Sequence, residues 1–313
     1  MSLPSGERVF VAETAANVRD EEKDPVLCVH GMAGAATNWT DFMAELAPEF
    51  ACAAVDLPGA GQSPPPKGPG GFSIRALAST VIGLIEARGD GPVHLVGNSM
   101  GGAVSVKAAA LRPDLVRTLT LISPALPDWL LHPSLLRFPM LATPGLGGWM
   151  LRRADSIPAE ARVRLMLSSI YYDWETSVHP DRIAAEVAET RRRDKLPYAD
   201  DALIGAARTI AVEYLRPAAR SLWRDAERIR VPVLAIYGSH DRLVNPRMAA
   251  RAARTFSDSR VIVLPRTGHV AMLEHPAEVA AHFREMLKST HARWETKRGM
   301  PGTHAGFTPI TNF

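Results

Sequence analysis

The chain has 313 residues, a length that suits one large domain or one domain with an inserted subdomain. With 46% hydrophobic and 22% charged residues, the composition is that of a soluble globular protein that buries a sizeable core. The net charge is only +3 and the charges are dispersed, so the chain lacks the clustered basic face that nucleic-acid binding requires, and we expect no nucleic-acid partner.

The two cysteines, Cys28 and Cys52, fall in predicted core strands, where thiols behave as small apolar groups and form no disulfide framework. The first residues contain no apolar stretch typical of a secretory signal. No apolar run reaches the roughly 20 residues that a membrane helix needs. We therefore expect a cytoplasmic protein with no stable membrane span.

Strands alternate with helices over residues 1–124. Each predicted strand is apolar throughout, which is typical of a parallel sheet covered by helices on both faces. The predicted strands span residues 8–12, 25–29, 51–55, 92–96 and 117–122, and the predicted helices span residues 38–47, 73–88 and 103–111.

This alternation stops at residue 125. Residues 125–220 contain no clear strand, and we interpret them as an inserted helical cap. The core resumes over residues 221–289, and residues 290–313 are predicted to be a loose C-terminal tail. The cap helices are predicted at 158–171, 180–195 and 200–215, and the second half of the core contains strands at 231–237 and 260–264 and helices at 246–256 and 276–288.

Between the strand at 92–96 and the helix at 103–111 lies the sequence Gly97-Asn98-Ser99-Met100-Gly101, which fits G-x-S-x-G. A serine at such a sharp turn from strand to helix is held in a strained backbone conformation that exposes its hydroxyl, and the flanking glycines leave room for strand and helix to approach. The setting predicts that Ser99 is a nucleophile.

A serine nucleophile needs a nearby base and an acid that orients the base. Among ten histidines, we predict His269 as the base, because it follows the strand at 260–264 on a loop at the carboxyl end of the sheet. We predict Asp241, which follows the strand at 231–237, as the acid; the order Ser, Asp, His matches one known fold. Asp128 is the alternative acid by position alone.

The remaining site residues follow from acyl chemistry. Two N–H groups typically hold the developing oxyanion, and we predict the backbone N–H groups of Met32 and Met100. Trp129, Leu243 and Val270 are predicted to line the substrate pocket. The stretch from Leu126 to Trp149 is rich in large apolar residues, which form either an acyl pocket beneath the cap or the core of the cap itself.

Five motifs occur in chain order: His30-Gly31, Asp56-Leu57-Pro58-Gly59-x-Gly61-x-Ser63, Gly97-x-Ser99-x-Gly101-Gly102, Gly238-x-x-Asp241, and Gly268-His269 with Glu274-x-Pro276. Taken together, these motifs resemble the α/β-hydrolase family over residues 25–288, except for the cap. The resemblance implies an eight-stranded, mostly parallel sheet flanked by helices, with a helical cap inserted after the sixth strand. Within the family, the chain is similar to carboxylesterases and monoacylglycerol-lipase-like members.

The leading hypothesis is a serine hydrolase that cleaves carboxylic esters, with apolar acyl or small lipid-like groups, through an acyl-enzyme intermediate. Thioester, lactone and carbon–carbon bond hydrolysis use the same triad, and a ligand-binding protein of this fold is the alternative from another class. Epoxide and haloalkane hydrolysis are disfavoured, because this fold then has an aspartate where Ser99 stands. We expect no cofactor and no metal, since neither a metal-ligand spacing nor a dinucleotide fingerprint is present; whether the chain forms a homodimer is left open.

Overall fold

The computed structural model describes residues 1–14, 23–66, 68, 70–128, 137–154 and 156–298. In these residues seven strands form one sheet in the order β1-β3-β2-β4-β5-β6-β7. The strands are β1 (Val11–Glu13), β2 (Asp24–Val29), β3 (Phe50–Val55), β4 (Val93–Asn98), β5 (Val116–Ile122), β6 (Val233–Gly238) and β7 (Ser259–Leu264).

Strand β1 pairs antiparallel with β3, and every other pair in the sheet is parallel. Because the strands from β2 to β7 run in one direction, their carboxyl ends meet at one edge of the sheet. In open α/β sheets, ligands bind beyond this edge.

The helices alternate with the strands in the core and cluster between β5 and β6. Helix α2 shows a clear capping signal at each end: it begins after Ser73, whose hydroxyl accepts a hydrogen bond of 3.2 Å from Ala76 N, and ends at Gly89 in the left-handed conformation. The α-helices are α1 (Thr40–Leu46), α2 (Ile74–Arg88), α3 (Met100–Leu111), α4 (Arg137–Ala142), α5 (Leu146–Ala154), α6 (Ala159–Ile170), α7 (Trp174–Ser177), α8 (Pro180–Arg193), α9 (Ala199–Leu215), α10 (Leu222–Ala226), α11 (Met248–Thr255), α12 (Ala271–Glu274) and α13 (Pro276–Arg298).

The sheet is buried on both faces, which explains why its strands are apolar without alternation. In β2, Leu27 and Val29 face a core formed with α2, α3, α10 and α11. Val26 and Cys28 face a second core formed with α1, α12 and α13. The sheet is therefore the middle layer of three.

Helices α4 to α9 form the segment inserted between β5 and β6. Its helices are joined to the core by direct hydrogen bonds: Thr209 Oγ1 donates to Phe72 O, and Arg192 Nη2 donates to Gly61 O at 2.6 Å. The inserted segment thus lies against the loops at the carboxyl edge of the sheet.

The α/β class, the mostly parallel sheet and the inserted helical segment are as the sequence predicts. The strand count differs: the described residues form seven strands, one fewer than the resemblance implies. The first strand, predicted at residues 8–12, lies at Val11–Glu13, and the segment before it contributes only an isolated antiparallel bridge between Ser2 and Arg8. A single bridge is too short to count as an eighth strand.

The predicted loose tail is wrong in its first part. Helix α13 runs from Pro276 to Arg298, so residues 290–298 continue the last helix. The stretch contains good helix formers such as Ala, Glu, Lys and Arg, and no glycine or proline interrupts it before Gly299. Residues 299–313 lie outside the described residues, and the exact boundaries between core, cap and tail stay predictions.

Among the described helices, none has both the length and the apolar character that a membrane span requires.

Candidate active site

Ser99 sits at the turn between β4 and α3, with a backbone φ of 53° and ψ of −119°. A positive φ is unfavourable for a residue with a side chain, and such strain persists only where the surrounding structure holds it. Three hydrogen bonds hold it here. Ser99 N donates to Ile122 O at 3.0 Å, and Ser99 O accepts from Ala103 N at 3.1 Å and from Ala125 N at 2.9 Å.

The glycines on either side of Ser99 are required by close backbone approach. A Cβ atom on Gly97 would lie 2.5 Å from Gly101 O, and one on Gly101 would lie 2.2 Å from Val29 O. Both distances are well below van der Waals contact, and both involve backbone that cannot easily move. Strand β4 and helix α3 can therefore pack this closely only because neither position carries a side chain.

Asp241 and His269 form a buried hydrogen-bonded pair at the carboxyl ends of β6 and β7. His269 Nδ1 donates to Asp241 Oδ2 at 2.8 Å. The second carboxylate oxygen, Oδ1, accepts from Leu243 N at 2.8 Å and from Val244 N at 2.9 Å. Because an ionised carboxylate only accepts hydrogen bonds, the Nδ1 atom carries the proton, and Nε2 of the neutral ring is left as an acceptor.

The charge of Asp241 is stabilised by these contacts. Burial alone would raise the pKa of its carboxyl group. The electrostatic interaction and the hydrogen bond with His269, together with the two backbone N–H groups, outweigh burial and bring the pKa of the Asp241 carboxyl below its ordinary value. Asp241 is therefore an anion near neutral pH, and its negative charge lies next to the imidazole ring.

The loop that carries His269 is joined to the turn that carries Ser99 by Asn98. The Asn98 side-chain Nδ2 donates to Ile122 O at 3.0 Å and to His269 O at 3.2 Å. The sequence did not reveal this role, because Asn98 occupies a variable position inside the G-x-S-x-G motif, directly before the serine, and both of its partners are distant in sequence. Its amide connects the ends of β4, β5 and β7.

A cavity of about 610 Å³ lies between the carboxyl edge of the sheet and the inserted helices. Asp241 lies behind His269 with its side chain fully buried, so it reaches the cavity only through the histidine. The predicted site residues that line the cavity are Ser99, His269, Met32, Met100, Leu243 and Val270. Trp129, which was predicted to belong with them, lies outside the described residues.

Met32 and Met100 present backbone N–H groups next to Ser99. Met100 is the first residue of α3, and Met32 lies in the loop after β2. Within the described part of the chain, neither N–H donates a hydrogen bond to any protein atom. Gly31 brings this loop close, since a Cβ atom there would lie 3.0 Å from Ser99 Cβ. The two donors are therefore available to a ligand at Ser99.

The wall of the cavity away from Ser99 is mainly apolar and comes from the inserted helices. Helix α5 contributes Met150 and Leu151, and α9 contributes Leu203, Ala206 and Ile210. Helix α8 contributes a more polar part of the wall. The polar residues of α8 that line the cavity are Glu186, Glu189 and Arg193.

Asp128, the alternative acid, belongs to a different contact. Its Oδ1 atom accepts a hydrogen bond of 2.6 Å from Arg247 Nη2. No hydrogen bond between Asp128 and His269 is present in the described residues, whereas Asp241 bonds to His269 directly. The geometry therefore favours Asp241 over Asp128 as the partner of the histidine.

Two further polar residues near the cavity support the loops. His30 Nε2 accepts from Leu57 N at 2.9 Å, and burial lowers the pKa of His30, although its contact with Gly31 O and the charge of Asp56 oppose the shift. Asp56 accepts from Ala36 N at 2.6 Å and from Gln62 N at 2.7 Å. Both side chains are engaged with backbone, which gives them a structural role.

In the part of the chain that the structure describes, no group of three or more His, Cys, Asp or Glu side chains is arranged to hold a metal ion.

The family model described as the alpha/beta hydrolase fold matches residues 24–276, which is well over half of the chain. The chain therefore belongs to the α/β-hydrolase family, and its general reaction class is that of a hydrolase.

The individual proteins to which the chain is similar are only distantly related to it. The chain is 27% identical over 270 residues to the 2-(acetamidomethylene)succinate hydrolase of Mesorhizobium japonicum, covering 84% of this chain and 87% of the relative. It is 28% identical over 278 residues to the pimeloyl-[acyl-carrier protein] methyl ester esterase of Neisseria meningitidis, covering 84% and 93%. A solved structure of a thermophilic esterase from Thermogutta terrifontis is similar in fold, with a TM-score of 0.71, 24% identity, and coverage of 93% of this chain and 98% of that one.

Proposed function

We propose that this protein is a serine hydrolase that cleaves carboxylic esters through an acyl-enzyme intermediate, with Ser99 as nucleophile, His269 as base and Asp241 as the orienting acid. One observation supports this most: the strained Ser99 turn and the Asp241-bonded His269 line the same cavity. The esterase of Neisseria meningitidis among the relatives agrees with ester chemistry.

Acylation begins when Ser99 Oγ attacks the ester carbonyl and His269 Nε2 takes the hydroxyl proton. Nε2 is the acceptor nitrogen, because Nδ1 donates to Asp241. The imidazolium that forms is stabilised by the Asp241 carboxylate. Asp241 also fixes the ring tautomer, and without that tautomer Nε2 would present a proton to the serine instead of accepting one.

The tetrahedral intermediate carries a negative charge on the former carbonyl oxygen. The backbone N–H groups of Met32 and Met100 bind this oxyanion, and such donors contribute more in a site that excludes water. Met100 N also lies at the first turn of α3, where the helix dipole favours an anion.

The alcohol leaves with the proton from His269. The same histidine then activates a water molecule, which attacks the acyl-Ser99 ester and releases the acid, restoring the free serine. Leu243 and Val270 line the cavity next to this reaction and provide apolar contact for the substrate. The apolar side chains of α5 and α9 accommodate the apolar acyl group of such an ester or a small lipid-like ester.

The test is steady-state hydrolysis of p-nitrophenyl acetate, butyrate and octanoate by the parent protein and by Ser99→Ala. We expect sustained turnover by the parent and a loss of about 10⁶-fold in the variant. Circular dichroism confirms that the variant is folded. Turnover that persists in folded Ser99→Ala would exclude the mechanism.

The same experiment with a wider panel of substrates tests the alternative chemistries. Thioesters, lactones and carbon–carbon bonds adjacent to a carbonyl can all react with this triad, so the panel includes one of each. Tight ligand binding without sustained turnover would favour a ligand-binding protein. This panel does not test the cytoplasmic location, which stays a prediction of the sequence, or the formation of a homodimer, which the sequence leaves open.

A further inference from the structure

The loop that carries His269 is attached to the inserted helical segment. His269 N donates a short hydrogen bond of 2.6 Å to Ile170 O, the last residue of α6. The Arg242 guanidinium donates to Ser168 O, and the Tyr172 ring packs on the His240 ring with centroids 4.5 Å apart. The carboxyl-terminal end of α6 therefore rests on both loops that supply the Asp241–His269 pair.

Glu274 completes this attachment with a carboxylate that accepts from both sides. Its Oε1 atom accepts from Gly268 N at 2.8 Å, and its Oε2 atom accepts from Tyr172 N at 2.8 Å. Gly268 directly precedes His269, and Tyr172 lies two residues after Ile170. One side chain thus joins the histidine loop to the inserted segment, next to the direct bond between His269 and Ile170.

The histidine loop and the segments on either side of it approach one another too closely for an added side-chain atom. A Cβ atom on Gly268 would lie 2.4 Å from Ile170 O and 2.8 Å from Tyr172 N. On the opposite side, a Cβ atom on Gly238 would lie 1.9 Å from Gly268 O. The histidine loop is therefore packed between the turn after β6 and the inserted segment, so its position depends on where that segment sits.

Hydrogen bonds from N–H groups to a carboxylate are stronger than those between neutral groups. Catalysis by a histidine is also sensitive to small errors of position, because a displacement of about 1 Å can cost about a hundredfold in rate. Neither Glu274 oxygen is required to stabilise a helix of the core, since both accept from loop residues. The two hydrogen bonds of the Glu274 carboxylate are therefore suited to fixing the position of the His269 imidazole ring.

We infer that Glu274 is a positioning residue for His269. Its carboxylate fixes the histidine loop to the end of α6, so that the packing of the cap on the core also places the imidazole ring. This inference rests on the proposed function, because it assigns a purpose to the position of His269. It adds a residue that touches neither substrate nor the reacting atoms.

The experiment compares Glu274→Ala and Glu274→Gln with the parent protein. Alanine removes both acceptors, whereas glutamine keeps a single carbonyl oxygen and so retains one of the two hydrogen bonds. Glu278→Ala is the matched control, because Glu278 lies four residues further on, with a half-exposed side chain whose Oε1 atom lies 4.0 Å from His282 Nε2. The readouts are kcat and KM for p-nitrophenyl butyrate, and the downfield proton resonance of the His269 Nδ1–Asp241 hydrogen bond.

We expect kcat to fall about ten- to a hundredfold in Glu274→Ala, with KM changed less than about threefold, and a smaller loss of kcat in Glu274→Gln. The downfield resonance broadens or disappears in Glu274→Ala and is retained in Glu278→Ala, whose kcat stays within about twofold of the parent. If Glu274→Ala does not fold, Glu274→Gln decides by the same readouts.

The inference is overturned if the Glu274 variants keep the parent kcat and the downfield resonance while only their melting temperature falls, since Glu274 would then support stability alone. Ser99→Ala separates this result from failure of the proposed function. If the parent and Ser99→Ala turn over esters equally, the proposed function fails, and the proton resonance still decides whether Glu274 holds His269 in place.

Discussion

Asp241 accepts three hydrogen bonds, one from His269 and two from the backbone N–H groups of Leu243 and Val244. The two backbone bonds fix the carboxylate, and the third fixes the imidazole. Since the Asp241 side chain is fully buried, water cannot replace any of these partners. The orientation of His269, the proposed base, is thus determined by the loop after β6.

Asp241→Asn is expected to lower kcat by about 10⁴-fold with a smaller change in KM, because an amide group facing His269 Nδ1 favours the wrong ring tautomer. The measurement is steady-state ester hydrolysis. The matched control is Asp128→Asn, which alters the carboxylate that pairs with Arg247 and is expected to leave kcat within about threefold of the parent. Equal losses in both variants would contradict the assignment of Asp241.

The lowered pKa of Asp241 predicts a pH dependence of stability. In the unfolded chain its carboxyl titrates near pH 4, and in the folded chain it titrates at a lower pH. As the pH falls, the unfolded chain therefore takes up this proton first, and the stability that the carboxylate contributes above about pH 4 is lost as the pH falls through the folded pKa.

Urea denaturation from about pH 7 to about pH 3 tests this, with Asp241→Asn as the reference that lacks the titrating group. We expect the unfolding free energy of the parent, relative to that of the variant, to decrease as the pH falls below about 4. A relative stability that increases in this range would mean that the pKa of Asp241 is raised by folding.

At the scale of elements, the Ser99 turn depends on how closely β4, α3 and the loop after β2 approach one another. Gly101→Ala is expected to destabilise the fold by about 2–3 kcal/mol, because the added methyl group meets backbone oxygens that cannot retreat. Urea denaturation measures the change.

Gly83→Ala is the control for this substitution. Gly83 lies in the interior of α2, where an added Cβ atom meets only Leu3 Cδ1 at 4.0 Å. The same chemical change there is expected to stabilise the protein by about 1 kcal/mol, because alanine favours the helix. If both variants shifted stability in the same direction, close packing would not be the reason for glycine at position 101.

The core elements could be predicted from the sequence because their signals are local. Apolar runs bounded by Gly and Pro gave the parallel strands, with ends shifted by one or two residues. The strand predicted at 92–96 extends to Asn98, and the helix predicted at 103–111 starts at Met100, directly after the serine. The motif also predicted that Ser99 lies at the turn between strand and helix, because the turn itself requires those residue types.

Helices α4 and α5 of the inserted segment could not be predicted from the sequence, because tertiary contacts override their local signals. The glycine pair in α5 is unfavourable for a helix, but a Cβ atom on Gly147 would lie 2.1 Å from Leu141 O, so glycine lets α5 pack on α4. Pro139 lies in the first turn of α4, where a helix tolerates proline because the missing N–H has no partner within the helix.

At the scale of the whole molecule, substrate selection depends on how the inserted helices meet the core. The cavity of about 610 Å³ combines residues from the sheet edge with residues of α5, α6, α8 and α9. Which face of each helix points inward is a property of their packing, so the sequence predicted a pocket beneath the cap but not its walls. The polar residues of α8 in one wall were not anticipated.

The apolar wall predicts a preference for longer acyl groups. The parent is expected to hydrolyse p-nitrophenyl octanoate with a higher kcat/KM than the acetate. Ala206→Leu, which adds bulk where α9 lines the cavity, is expected to lower this octanoate-to-acetate ratio about tenfold.

Val212→Leu is the matched control on the same helix, because Val212 is 52% exposed and lies away from the cavity. The ratio is expected to stay unchanged in this variant. If Ala206→Leu left the ratio at the parent value, or if the control changed it equally, α9 would not form the acyl wall.

The central claim is that Ser99 is made reactive by His269, and fluorophosphonate labelling followed by peptide mass mapping tests it most directly. The account predicts one adduct per chain, located on Ser99, absent in Ser99→Ala and formed far more slowly in His269→Gln. A parent protein that is not labelled, an adduct on another residue, or labelling of Ser99 at an equal rate in His269→Gln would contradict it.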